Sequence, residues 1–245
     1  MKTLNYSIKG LLACLAVVLC CGCNNQKGWV YRPNSYAAVV GKQPDKKVAV
    51  VAFEDARENE NHNYLVLYAI PLMPFGWQNL NTPELTTYHT TTGVWNNYKP
   101  TEDFPKALAE DLRNTHLFAD AFFDFRRDTA DYAVQGKILS TKYTGRIISY
   151  GLSVEGPLLW LIGFPAAWTQ NELSIDLTLM DSKTGNILFS KNYTATPCSN
   201  MSWLYYMKDD YYYPEMMAEV NKQFCTDIQP IVLKDSLKAT EPKNP

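Results

Sequence analysis

Apolar and polar positions alternate most cleanly between Leu173 and Met180. Leu173, Ile175, Leu177 and Leu179 alternate with Ser174, Asp176, Thr178 and Met180, the period of a strand buried on one face. Asp181 to Asn186 carries turn residues, so Ile187 to Thr194 is expected to return as the hairpin partner. Val48 to Phe53 is a short continuous apolar run between Lys47 and Glu54, which suits a strand buried on both faces. Leu117 to Phe125 and Asp131 to Tyr143 read as further strands, as does the alternation of Ile148, Tyr150, Leu152 and Val154. The period changes twice. Phe104, Leu108 and Leu112 recur every four residues behind Thr101, Glu102 and Asp103, which can cap and charge a helix start. Met217, Val220, Phe224 and Ile228 mark a second helix that begins at Pro214 and ends or kinks at Pro230. Residues 235–245 read as a polar tail. The order of strand, helix, antiparallel strands and helix predicts one α+β domain over residues 48–234. Its sheet would be mixed and mainly antiparallel, with two main helices on one face.

Two segments fit neither period. No Asp, Glu, Lys or Arg occurs from Asn61 to Pro83 or from Gly156 to Asn171. Both mix aliphatic residues with Pro and Gly, and each runs to a tryptophan: Leu72-Met-Pro-Phe75-Gly-Trp77 and Leu161-Ile-Gly-Phe164-Pro-Ala-Ala-Trp168. They are too short and too proline-rich for membrane-spanning helices. Two readings are open. They are loops inserted into the domain that lie side by side on a lipid surface or a partner, through Leu72, Phe75, Trp77, Leu161, Phe164 and Trp168, or they pack on each other as a second core. A third outlying segment, Trp203 to Tyr213, interleaves six aromatics with Lys208, Asp209 and Asp210. Trp203, Tyr205 and Tyr206 could stack on a sugar or a peptide, or the segment could plug the space between hairpin and last helix.

The N-terminus bears on location. Lys2 and Lys9 precede an apolar run, Leu11 to Gly22, that is too short to span a bilayer and ends in Leu19-Cys20-Cys21-Gly22-Cys23. This resembles the lipobox of bacterial lipoproteins. The resemblance implies that residues 1–22 are a signal peptide and that Cys23 becomes an N-terminus acylated with palmitate-type chains. Cys21 is the second choice. Asn24 stands where some inner-membrane lipoproteins carry Asp, so the resemblance favours the outer membrane, with the domain facing the periplasm. Residues 23–47 then read as the lipidated end and a polar tether of up to ~80 Å, on which Trp29, Tyr31 and Tyr36 could dock. Export leaves Cys198 and Cys225 as an even pair in an oxidising compartment. A bridge between them would close a loop of about 27 residues and contribute ~3.5 kcal/mol; two buried thiols are the alternative.

Charge and motifs exclude several classes. Loss of the signal removes Lys2 and Lys9 and no acid, taking the formal charge from -2 to -4. Nothing there suits nucleic acid. His62, His89 and His116 have no metal-ligand spacing, so no metal or cofactor is expected. Gly151-Leu-Ser153-Val-Glu155 departs from GxSxG at its last position. No phosphate loop is present, and Asp55 with Arg57 reads as a turn ion pair. The expected protein is therefore not an enzyme.

Val48 to Phe53, the Phe104-to-Leu112 helix, Asp131-Tyr132-Ala-Val-Gln-Gly136 and the Asp181-to-Gly185 turn together resemble small bacterial lipoproteins. The layout is similar to the N-terminal domain of TolB, the curli-secretion lipoprotein and lipoproteins that activate peptidoglycan synthases. That likeness covers about residues 46–230 by element order. It implies a non-enzymatic envelope component that binds an envelope protein or peptidoglycan. The alternatives are a subunit of an outer-membrane secretion pore, whose hairpin would use Ile148 to Val154, and a glycan-acting envelope enzyme using the aromatic segment.

Overall fold

A computed structural model of the chain describes residues 26–36, 45–83, 86–207 and 210–238. The signal segment, Cys23, residues 208–209 and the end of the tail lie outside the described residues.

The domain is α+β, with mixed, mainly antiparallel sheets. The first sheet contains β2 (Lys47–Val51), β3 (Glu54–Asp55), β8 (Asp120–Asp124), β9 (Tyr132–Ser140), β12 (Ser174–Asp181) and β13 (Ile187–Thr194). Its order is β13-β12-β9-β2-β8, and β3 extends alongside β9. The β2 strand runs parallel to β8 and β9, while β9, β12 and β13 pair antiparallel. Two helices cover one face: α1 (Pro100–Thr115) lies against β2 and β8, and α3 (Tyr213–Lys238) against β13 and α1. The alternation dictates this. Ile175, Leu177 and Leu179 are fully buried toward the helices, as are Phe104, Leu108, Leu112, Val220 and Phe224 from the other side.

A second sheet was not expected. It contains β4 (Glu60–Tyr64), β5 (Phe75–Asn81), β10 (Tyr143–Ile148), β11 (Pro165–Asn171) and β14 (Cys198–Trp203), all antiparallel, in the order β14-β11-β10-β5-β4. The C-terminal halves of both charge-poor segments are thus strands rather than loops, paired on either side of β10. Their small and polar positions explain it. Gly76, Gln78, Ala167 and Thr169 face inward and are buried, and Ala166 is buried at a register shift. A small third sheet pairs β1 (Gln26–Lys27) with β7 (Val94–Trp95) and β7 with β6 (Tyr88–His89). Trp95 sits edge-on to Tyr143 and Tyr211 at 5.0 Å each and to Tyr213 at 5.5 Å. This aromatic cluster joins the sheets.

Several expectations change. The first helix starts at Pro100 rather than behind Thr101, and the Asp103 carboxylate accepts the Lys99 N–H. The last helix continues through Pro230 to Lys238, because Val232 extends the buried stripe one turn beyond Ile228. Residues 149–155 form no strand. Tyr150 and Ser153 take positive φ there, and a 3₁₀ turn follows at Ser153–Glu155. The tether is not free from residue 26 to residue 36. Trp29 packs at 5.3 Å on Phe104, and the fully buried Asp111 accepts from the Tyr31 hydroxyl, the Asn34 backbone N–H (2.7 Å) and Asn34 Nδ2 (3.0 Å). The Cys198–Cys225 bridge is not formed. Cys225 points into the helix pair beside Tyr36 and Asp111, where burial pushes its thiol up to about 12. Cys198 lies at the start of β14, near Glu215 and Glu219. Asp55 and Arg57 form a short ion pair at 2.5 Å, and Arg57 also donates to Thr141 at 2.7 Å. The pair staples the start of the domain.

Candidate functional site

The end of the second sheet at which β5 and β11 begin and β10 stops carries an apolar tip built from three distant segments. The first is a 3₁₀ turn, Leu65–Ala69, with the residues that lead from it into β5. The second is Ser149 to Gly163, including the short helix α2 (Pro157–Leu161). The third is the turn after β14, where Tyr205 donates to the Leu161 carbonyl at 3.4 Å. Leu72 is 88% exposed, and Val66, Leu158, Ile162 and Tyr205 are exposed beside it. The sequence placed Leu72, Leu161, Phe164, Tyr205 and Tyr206 in two unrelated features; the fold brings them together.

The tip is an ordered structure. Leu72 donates its N–H to Gly151 at 2.9 Å, Ser149 its N–H to Pro74 at 2.9 Å and its hydroxyl to Met73 at 2.7 Å. The Ser153 hydroxyl donates to Ala69. Trp160 Nε1 reaches the Ile148 carbonyl at 2.9 Å, and the Tyr150 hydroxyl the Pro165 carbonyl at 2.6 Å. Burial raises the Tyr150 phenol, so it stays a neutral donor. The bonds satisfy main-chain groups and leave the apolar side chains outside. Gly76 allows the two layers to meet: a Cβ there would lie 2.0 Å from the Leu65 carbonyl oxygen. Strain collects here too, since Leu72, Tyr150 and Ser153 hold φ of 69°, 58° and 56°.

Behind the tip, the outer face of the sheet changes character in steps along the strands. The register places Tyr64, Trp77, Arg146, Trp168 and Met201 in one row across five strands. Arg146 lies between rings, its guanidinium carbon 4.8 Å from the centroids of both Phe75 and Trp168. Tyr64 and Trp77 approach to 4.7 Å. Two residues further, the row is His62, Asn79, Thr144, Gln170 and Ser199, with Thr144 donating to Asn79 at 3.0 Å. Beyond that stand Glu60, Lys142 and Glu172, Lys142 paired with Glu60 at 3.1 Å. An open groove of about 350 Å³ runs down this face from Phe75 to Glu172. Apolar, aromatic with one cation, neutral polar and charged zones therefore follow each other, at ~7 Å for every two residues of strand.

Of the six residues expected at a membrane or partner, Leu72, Leu161 and Phe164 are exposed at the tip. Phe75, Trp77 and Trp168 are half-buried in the groove face. Trp203 is half-buried opposite Pro165, and Tyr205 and Tyr206 are exposed. Tyr211 and Tyr213 instead enter the core, so the aromatic segment divides between surface and plug. The sequence reading missed Arg146, which lies outside both charge-free stretches; only the strand register reveals its neighbours. Among the described residues, no three His, Cys, Asp or Glu side chains converge to hold a metal ion. No described helix is long and apolar enough to cross a membrane.

No family model and no curated protein matches the chain. Solved structures with a distant likeness include a Xanthomonas campestris protein assigned to the family DUF330, at 13% identity and a TM-score of 0.46, covering 87% of this chain and 99% of that one. Another is the PelC dodecamer of Paraburkholderia phytofirmans, at 16% identity and a TM-score of 0.35, covering 78% and 96%. A third is a protein of Chlamydia trachomatis at 7% identity and 0.36, covering 77% and 98%.

Proposed function

We propose that this protein is a lipid-anchored, non-enzymatic component of a bacterial envelope, acylated at Cys23, whose domain lies on the lipid surface through its apolar tip. The observation that carries this reading is the convergence of three segments in one exposed apolar surface whose main chain is hydrogen-bonded. A bilayer seen from its centre is apolar, then interfacial with Trp and Tyr enriched, then aqueous. The outer face of the second sheet runs through the same sequence of zones. The anchor adds to it. With Gln26 already paired in β1, an acyl chain on Cys23 would sit three residues, or ~10 Å, from the domain, instead of at the end of a long tether. Acyl chains supply most of the membrane affinity, and the tip sets the orientation.

The outer membrane is the proposed location, since Asn24 follows the acylated position. A pore subunit is the weaker reading, because the strand it would draw on stops at Ile148. Two experiments test the proposal. Labelled palmitate should enter the wild-type protein and not Cys23→Ser. The mature Cys23→Ser chain should float with phospholipid vesicles, and Leu72→Ser with Ile162→Ser should abolish flotation without lowering the melting temperature. If the unacylated wild type fails to float, the tip serves a protein partner rather than lipid.

A further inference from the structure

We infer that Arg146 is a phosphate-binding residue that takes the phosphate of a phospholipid headgroup when the apolar tip meets a bilayer. This deepens the membrane reading and rests on it. Arg146 is exposed on β10 and makes no ion pair with any described carboxylate, whereas Lys142, just before that strand, is paired with Glu60. The rings of Phe75 and Trp168 each have their centroid 4.8 Å from its guanidinium carbon. Contact with two rings holds the group in place and leaves the N–H edge of a guanidinium available for hydrogen bonds. That forked edge matches two oxygens of a phosphate.

Position selects the source of that phosphate. Arg146 lies two residues before Ile148, where β10 ends and the tip begins, which is ~7 Å along the strand. The headgroup layer of a bilayer leaflet is about 5–8 Å thick. With the tip at the acyl boundary, Arg146 is in the phosphate layer. Trp77, Trp168 and Tyr64 share its row, at the depth where amphipathic rings concentrate. The acids on this face, Glu60 and Glu172, belong four residues back along the strands, ~13 Å away and in water. Glu155 is exposed on the tip itself and opposes binding.

The test uses the full mature chain carrying Cys23→Ser, with vesicles of equal parts phosphatidylethanolamine and phosphatidylglycerol. Arg146→Gln should weaken vesicle binding about tenfold, the loss expected for one charge-assisted contact. Arg146→Lys should recover little of it, because an ammonium keeps the charge and loses the fork. Fluorescence should report the same event: lipids brominated near the headgroup should quench the wild type and quench Arg146→Gln less. Full binding by Arg146→Gln, with binding abolished by Leu72→Ser and Ile162→Ser, would overturn the phosphate assignment and leave the membrane reading standing. Failure of the wild type to bind at all would overturn both. Glycerol phosphate binding to the protein without vesicles, at the affinity seen with them, would assign the residue to a soluble ligand and overturn the lipid source.

Discussion

Asp111 decides how the N-terminal segment is held, and Asp111→Ala should release it. The carboxylate is fully buried in α1 and accepts from Tyr31, from the Asn34 backbone N–H and from Asn34 Nδ2. Asn34 Nδ2 also donates to the Ala218 carbonyl, and Tyr31 also accepts from Asn221 at 2.9 Å. Truncation therefore leaves two donors without an acceptor, the Tyr31 hydroxyl and the Asn34 N–H. Each costs about 1–3 kcal/mol when buried and unpaired. Undocking of residues 26–36 limits the total, because the freed donors can reach water. A net loss of about 3 kcal/mol follows, or roughly 6–12 °C of melting temperature for a domain of this size. The assay is a thermal melt with limited trypsin digestion, read at Lys27 and Arg32. Tyr31→Phe should cost less, and the double variant should cost less than the sum, because both act on one node. A shift below about 2 °C with unchanged protection of Lys27 and Arg32 would refute the reasoning.

Three further outcomes are expected. Leu72→Gly should leave the melting temperature unchanged or raise it by about 2 °C, because relief of a positive φ in a leucine offsets the extra freedom of glycine; vesicle flotation should fall in the same variant, and a loss of stability would show Leu72 to be core. Gly76→Ala should cost about 1–3 kcal/mol, since the new methyl meets a main-chain carbonyl that can move only with the 3₁₀ turn; calorimetry checks this, and a neutral result would mean that the turn is loosely held. Burial raises the Cys225 thiol from its ordinary value of 9.0 to about 12, so its neutral form contributes stability that is complete below pH 9 and lost as pH rises toward 12; urea midpoints of wild type and Cys225→Ala should converge over that window, and rapid native alkylation of Cys225 at pH 8 would contradict it.

The first sheet and its helices were legible because each buries one face. A half-buried strand or helix writes its period into the sequence, as Leu173 to Leu179 and Phe104 to Leu112 do. The second sheet was hidden for a related reason. Its inner face is lined by Gly76, Gln78, Gly145 and Thr169, small or polar residues that give no hydrophobic period. Its outer face carries Trp77, Arg146 and Trp168, which read as unrelated residues until the register aligns them. The expected disulfide rested on parity and compartment, neither of which contains a distance. The strand expected from Ile148 to Val154 rested on alternation alone. Positive φ at Tyr150, Gly151 and Ser153 overrides that pattern and turns the chain into the tip.

The tip also separates a functional reading from a structural one on energetic grounds. A core tolerates strained backbone when it gains burial, and an exposed loop can relax. Leu72 does neither: it holds a left-handed conformation while 88% exposed, with its N–H bonded to the Gly151 carbonyl. Within the isolated domain, glycine would serve that position at least as well. A leucine there gains free energy only when its side chain leaves water, at roughly 25 cal/mol per Å² of apolar surface covered. The same holds for Ile162 and Leu158 around it. Two segments tied by main-chain hydrogen bonds present these side chains to one surface, and the turn after β14 adds Tyr205 through its hydroxyl. Covering these side chains with an apolar surface would add free energy that the isolated domain lacks, which is the ground for proposing a lipid interface there.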